Sequence, residues 1–439
     1  MLKFLFSEDR APFFWGLFSL VLYGVLFYVS AQTPSKIGLV FFLGTYWILM
    51  GIAFLPFFSK RIERGASNAN SWIWGILFRI TCIFAVPLWE DDWARFLWDG
   101  YQTLQTGTPY GKTPASFFKA EGLPSWTTEI LSRINHPDVP TIYGPVLEFV
   151  FLAAAFCFPG SLWGLKLIYL AIELPFWVWL TKNITKREFT ILFLCPLLVI
   201  ETYVQAHPDF LGLLFLTGSA ICLSRKRPLS SGFFLGLACG VKTFGWILVP
   251  FFFLKSNRPR FIAGLIPAFL IPYLFFRVQG GVGGDGLLIF LESWEFNSSL
   301  YSLIKWGFGF SDWNPGIAAG VVCLIFWGIL GIFYVFSFVK GDASAVSKTF
   351  LWFFLFSPVV NVWYLLWPLF FWVRHPILPG IVFCFAVCLA TISGRTLAAE
   401  ELGLQLYENP LVVRGIEYSL VFLAFFVQNI LQKVQNPFQ

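Results

Sequence analysis

The sequence predicts an all-α polytopic membrane protein whose first large outer loop carries the active site, and three observations lead there. Of the 439 residues, 57% are hydrophobic and 20% aromatic. Only 12% are charged, against roughly 25% in soluble domains, and the mean hydropathy is +0.73. The apolar excess runs in stretches long enough to cross a bilayer, about 20 residues per helix. A soluble enzyme and a single-anchor protein are both excluded. The formal charge of +6 reflects basic loops, so no nucleic acid partner is inferred.

The first apolar run, residues 11–30, ends in Val29-Ser30-Ala31, which resembles a signal cleavage site. It is longer than a usual signal core and reads as a retained helix. Further segments fall at 37–58, 71–88, 143–158, 161–181, 189–204, 209–224, 231–254, 261–277, 316–339, 347–373, 376–394 and 411–430, giving roughly 11–13 transmembrane helices. The chain reads as one integral membrane domain over 1–439: N-terminal helices over 1–70, a central module over 71–375 and C-terminal helices over 376–439. Two polar interruptions, 89–142 and 278–315, are the candidate functional loops. The eight cysteines all lie in apolar segments and show neither disulfide nor zinc spacing.

Orientation follows the rule that Lys and Arg favour the cytoplasm. Lys60, Arg61 and Arg64 put that connection inside and deliver 89–142 to the outer side. Basic clusters at Lys182/Lys186/Arg187, Arg225/Lys226/Arg227, Lys255/Arg258/Arg260 and Lys340/Lys348 make His207-Pro208-Asp209, Lys242 and 278–315 outward tips. The hairpin 228–254 is too short for two spans at 1.5 Å per residue. It is expected to be re-entrant or built of short helices lining a cavity. Between 142 and Lys182 the chain crosses an odd number of times, yet it offers two candidate helices broken at Pro159-Gly160. Either one helix is partial or the 182–187 cluster lies outside.

The strongest chemical signal is Glu90-Asp91-Asp92-Trp93-Ala94-Arg95, running on to Trp98-Asp99-Gly100. On a helix, Asp91 and Asp92 share a face with Arg95. Adjacent carboxylates suit a general base, because desolvation and mutual repulsion raise the pKa of one of them. They equally suit a divalent cation, or a solvated interfacial helix with Trp93 and Trp98 in the aromatic belt. His136 and Asp138 stand in a polar turn that a plain helix start, with Thr141 as cap, also explains. Three histidines without metal spacing argue against a His-based metal site. Lys242, deep in Gly236–Thr243, needs an anion or a wet cavity. Lys166, Glu173 and Glu201 lie nearer segment ends and read as snorkelling or paired. The Gly280–Gly286 run lacks the strand, Lys and helix of a phosphate loop and reads as hinge or disorder.

The series Asp91-Asp92-x-x-Arg95-Phe96-x-Trp98-Asp99-Gly100, Gly107-Thr108-Pro109-Tyr110 and Asn135-His136-Pro137-x-x-Pro140-Thr141-Ile142-Tyr143-x-Pro145 resembles the first outer loop of bacterial GT-C fold glycosyltransferases, particularly the mannosyltransferase-like group. The likeness continues through His207-Pro208-Asp209, Gly236–Lys242, Trp294–Tyr301 and Ser357-Pro358-x-x-Asn361-x-Trp363-Tyr364, about residues 70 to 375. Phe96, Thr108 and Gly144 depart from the usual Tyr, Asn and Pro.

The resemblance implies a GT-C-like bundle in the cell inner membrane with an extracytoplasmic active site. It further implies a polyprenyl-phosphate-linked sugar donor, a hexose such as mannose, and a glycan or glycolipid acceptor. Asp91 or Asp92 would be the base of an inverting transfer. Arg95, Lys242 and His207 would face the donor phosphate, and Asp99, His136, Tyr143, Asp209, Asn297, Trp363 and Tyr364 would complete the substrate site. Such a phosphate leaving group can depart without a metal, although some members of the family use a divalent cation. The competing class is a transporter or flippase with Lys242, Glu173 and Glu201 on its path, which predicts inverted repeats that the sequence does not show.

Overall fold

The computed structural model describes residues 11–32, 35–58, 68–88, 91–281, 283–394, 401–405 and 407–435. Lys60, Arg61, Arg64, Glu90 and Val282 lie outside the described residues. Among the described residues the protein is helical throughout, and the only strand-like pairing is a parallel bridge between Phe296 and Val359.

In chain order, α1 (Ala11–Ser30), α2 (Lys36–Phe58) and α3 (Asn68–Ile83) pack together. The first polar loop holds α4 (Asp92–Thr106) and α5 (Ser125–Arg133). Next come α6 (Pro145–Cys157), α7 (Leu162–Leu180), α8 (Lys186–Phe193), α9 (Pro196–Val199) and α10 (Phe210–Ser224). The central hairpins are α11 (Pro228–Val241), α12 (Val249–Lys255) and α13 (Arg258–Val278). The second polar loop holds α14 (Asp285–Ser293) and α15 (Leu300–Phe308). The remainder is α16 (Pro315–Lys340), α17 (Ala345–Phe356), α18 (Leu366–Arg374), α19 (Leu378–Ala386) and α20 (Leu411–Gln435).

Among the described residues six helices, α1, α2, α7, α13, α16 and α20, are long and apolar enough to cross a membrane. Six further apolar helical stretches have only 10–17 residues. The roughly 11–13 expected segments thus divide into long helices and short ones. The expected segment 347–373 is two pieces broken at Ser357–Asn361, and 189–204 is three short turns. Such breaks survive where protein, not lipid, satisfies the freed backbone groups. Here Ser357 Oγ donates to Val359 O at 2.7 Å, and Phe296 N donates to Pro358 O at 3.0 Å.

The hairpin at 228–254 is built of short helices, as its length required. Helix α11 stops at Lys242, which is extended (φ −149°, ψ 161°), and a 3-10 turn over Thr243–Leu248 leads into α12. Helices α11 and α13 lie backbone to backbone: a Cβ on Gly232 would stand 2.0 Å from Phe261 O, and one on Gly264 would stand 2.0 Å from Leu229 O. Small residues allow this approach in membrane helix pairs.

Buried charges tie the helices and fix their directions. Arg79 donates to both oxygens of Glu173 at 2.9 and 2.6 Å, with neither side chain exposed. Trp177 and Tyr203 also donate to Glu173, and Arg79 reaches Phe193 O at 2.9 Å. Lys166 donates to Ala85 O at 2.7 Å and Val204 O at 3.2 Å. Neither Lys166 nor Glu173 snorkels; each is fully buried and held by partners, as a charge away from water must be. Because Lys166 sits beside Ala85 and Glu173 beside Arg79, α7 runs antiparallel to α3. Its start stands at the bundle end where the first polar loop begins. Helix α6, 13 residues and about 20 Å long, is shorter than a full span.

Candidate functional site

Helix α4 places the acidic motif. Asp92 stands in its first turn, where a carboxylate suits the helix dipole. Gly107 ends it in the left-handed region (φ 81°), returning its N–H to Thr103 O. Gly100 lets α4 lie on α6, since a Cβ there would stand 2.2 Å from Phe151 O. Within the Gly280–Gly286 run, Gly281 packs on Thr108 and Gly286 on Pro140, while Gly280 (φ 84°) and Gly284 (φ 118°) take left-handed turns in open space.

Arg95 donates through Nε to Asp99 Oδ1 at 2.8 Å and through Nη1 to Val139 O at 3.0 Å. The acid paired with Arg95 is thus Asp99, one turn onward, rather than Asp91 or Asp92. Asp99 is fully buried and does not line the cavity described below; the structure places it behind Arg95, as that residue's partner. Burial pushes its carboxyl above the usual range against the pull of Arg95. Thr141 does not cap α6, whose N-cap is Gly144. Its hydroxyl donates instead to Glu148 Oε1 at 3.0 Å and faces Asp99. Two fully buried carboxyls therefore share one guanidinium, and Asp99 Oδ2, Glu148 Oε2 and Arg95 Nη2 have no hydrogen-bond partner. Glu148 escaped the sequence reading because it lies four residues into an apolar segment.

Lys242 has an anion within the chain. Its ammonium is 2.9 and 2.8 Å from the oxygens of Asp209, and Trp367 Nε1 donates to Asp209 Oδ1 at 2.7 Å. Asp209 is fully buried and is the counter-ion of Lys242, outside the lining of the cavity described below. His207 is likewise buried, stacked on Trp363 with ring centroids 3.6 Å apart, and does not line the cavity. Asn297, also buried, is a structural hub. It donates to Glu417 Oε1 at 3.0 Å and Val360 O at 3.4 Å, and accepts from Asn409 at 2.8 Å. Its carbonyl accepts from Tyr418 at 2.5 Å.

The remaining residues converge. A polar cavity of about 510 Å³ is lined by Asp92, Arg95, His136, Tyr143, Lys242, Trp363 and Tyr364, joined by Asn135, Trp294, Glu295, Asn361 and Tyr407. Asp91 is buried and not part of its lining. The Tyr143 hydroxyl donates to Asp92 Oδ2 at 3.3 Å. His136 holds φ 51° with its ring 4.7 Å from that of Trp294. Tyr407, beyond the reach of the family motifs, carried no signal in the sequence. Beside this cavity lies an apolar chamber of about 720 Å³ walled by residues such as Phe244, Trp246, Phe269, Trp327 and Phe353. The two share Tyr143, Lys242, Phe290, Trp294 and Tyr364 as a common wall. The Lys242 ammonium there lies 4.8 Å from the Tyr364 ring centre. Among the described residues no group of three His, Cys, Asp or Glu is arranged to hold a metal ion.

Fold and composition together define the class: a helical membrane protein with a polar cavity opening beside an apolar one. Comparisons with family models, curated proteins and solved structures find no match.

Proposed function

We propose that the chain is a GT-C-like glycosyltransferase moving a hexose such as mannose from a polyprenyl-phosphate donor to a glycan or glycolipid acceptor on the outer face of the inner membrane. One observation carries this reading: the cavity holding Asp92 and Arg95 and the apolar chamber meet at Lys242. A donor that is half hydrocarbon and half sugar phosphate needs such a pair, with cations where its halves join. The acceptor hydroxyl oxygen attacks the anomeric carbon, its proton passes to Asp92, and the breaking C–O bond leaves its electron pair on the lipid phosphate. Arg95 and Lys242 then face growing negative charge, the arrangement that lowers a barrier most. Tyr143, bonded to Asp92, orients the base. The Glu173 carboxylate of the competing transporter path is paired with Arg79, whereas Lys242, though paired with Asp209, keeps 18% of its side chain exposed on the wall the two cavities share.

The test is a reconstituted assay with radiolabelled polyprenyl-phosphate hexoses, following both sugar transfer and release of the lipid phosphate. Donor-dependent transfer that is lost in Asp92→Asn supports the reading. A folded parent protein that consumes none of the donors overturns it.

A further inference from the structure

The polar cavity has a second neighbour. It adjoins, through a shared residue, an open cleft of about 470 Å³ lined by Glu295, Ser302, Lys305, Trp306, Gly309 and Phe310. Glu295 is common to both spaces. Its carboxylate is held from two sides, accepting from Ser298 Oγ at 2.7 Å and from Lys305 Nζ at 2.5 Å. The bond to Glu295 raises the Lys305 pKa, which keeps the ammonium charged. With its side chain 25% exposed, Glu295 still presents acceptor capacity to a ligand. Trp306 and Phe310 stand 70% and 79% exposed, with centroids 5.2 Å apart and planes perpendicular. The platform is anchored: Tyr301 of α15 donates to Gly316 O at 3.3 Å, and the Phe296 bridge and Asn297 hub fix the chain before it.

A hydroxyl-accepting carboxylate beside an open indole face is what a pyranose ring demands. Its C–H face covers the ring while its hydroxyls donate to the acid. A cleft serving lipid alone would leave the Glu295–Lys305 pair without purpose.

We infer that this cleft binds the saccharide acceptor, with Trp306 stacking on a sugar ring and Glu295 accepting from its hydroxyls at the passage to Asp92. The acceptor role rests on the proposed function; the binding of saccharide does not, and is tested separately. Diazirine-bearing methyl disaccharides of glucose, galactose, mannose and N-acetylglucosamine are photolysed with the full chain in nanodiscs, and the adducts are mapped by mass spectrometry.

The expected result is labelling within 295–310 by at least one sugar, competed by the unmodified disaccharide. It falls about tenfold in Trp306→Ala, near 1.4 kcal/mol, and in Glu295→Gln, and persists in Trp306→Tyr. With a working donor, Trp306→Ala raises the acceptor KM by a similar factor and leaves the donor KM unchanged. Labelling of Trp306 and Phe310 only by a diazirine phosphatidylcholine makes these rings membrane anchors and overturns the inference, as does saccharide labelling confined elsewhere. If the parent protein labels in the cleft but uses no polyprenyl-phosphate donor, the proposed function fails while the saccharide site stands.

Discussion

Lys242 and Asp209, 33 positions apart, form an ion pair in which the ammonium reaches both carboxylate oxygens, at 2.9 and 2.8 Å. Asp209 is completely buried, whereas the Lys242 side chain keeps 18% of its surface. The pair therefore holds a cation on the wall between two cavities without leaving the acid uncompensated. A buried pair of this kind is weak support for stability, yet breaking it from one side is costly.

Lys242→Met strands Asp209 and should lower stability by about 3–5 kcal/mol, seen as a lower melting temperature in detergent. Lys242→Met combined with Asp209→Asn removes both charges and should recover most of that loss. Transfer should stay impaired in the double variant, because the donor phosphate then lacks its cation. Parent-like transfer by the double variant would make Lys242 purely structural.

Asp92 lines the cavity and Asp91 does not, so the two acids should separate in kinetics. Asp92→Asn should reduce turnover by about two orders of magnitude or more at unchanged melting temperature. Asp91→Asn should retain most of the turnover. The reverse ranking would move the base to Asp91.

The Asp99, Glu148 and Arg95 cluster gives opposite signs for its members. Arg95→Gln leaves two buried acids without a cation and should cost about 3–5 kcal/mol. Glu148→Gln removes the surplus acid and should leave the melting temperature equal or higher.

The same cluster sets a pH trend. An unfolded Asp ionises near 3.9 and the buried Asp99 only at higher pH, so between these the folded state holds more protons. Stability should fall as pH rises through that interval, and Asp99→Asn should flatten part of the fall in a melting-temperature profile.

The topology expectation is tested by single cysteines in a cysteine-free background. Ser116→Cys, in the first polar loop, should react with an impermeant maleimide in intact cells. Ser224→Cys, beside Arg225–Arg227, should react only after the membrane is opened. The inverse pattern would place the cavity mouth in the cytoplasm.

Much of the architecture was legible because a bilayer constrains it at the level of local composition: apolar runs must be helical when lipid leaves backbone groups no other partner. Residues 11–30 and 411–430 become α1 and α20 for that reason. Spans broken from within, such as 347–373 at Ser357–Asn361, read as continuous because hydropathy does not register where a neighbouring segment takes over the hydrogen bonds.

By itself the sequence determined the helical membrane class and picked out residues that the fold gathers: Asp92, Arg95, His136, Tyr143, Lys242, Trp363 and Tyr364 were all named from local motifs, and all line one cavity. Only the tertiary structure decided that Asp209 belongs to Lys242, that Glu148 shares a guanidinium with Asp99, and that Asn297 is a hub. It also decided that Tyr407 and Glu295 reach the cavity. Each of those outcomes depends on pairing across long stretches of chain, where a buried charge accepts whichever partner packing brings within reach. Periodicity and spacing record what a residue needs, while the fold selects what meets the need.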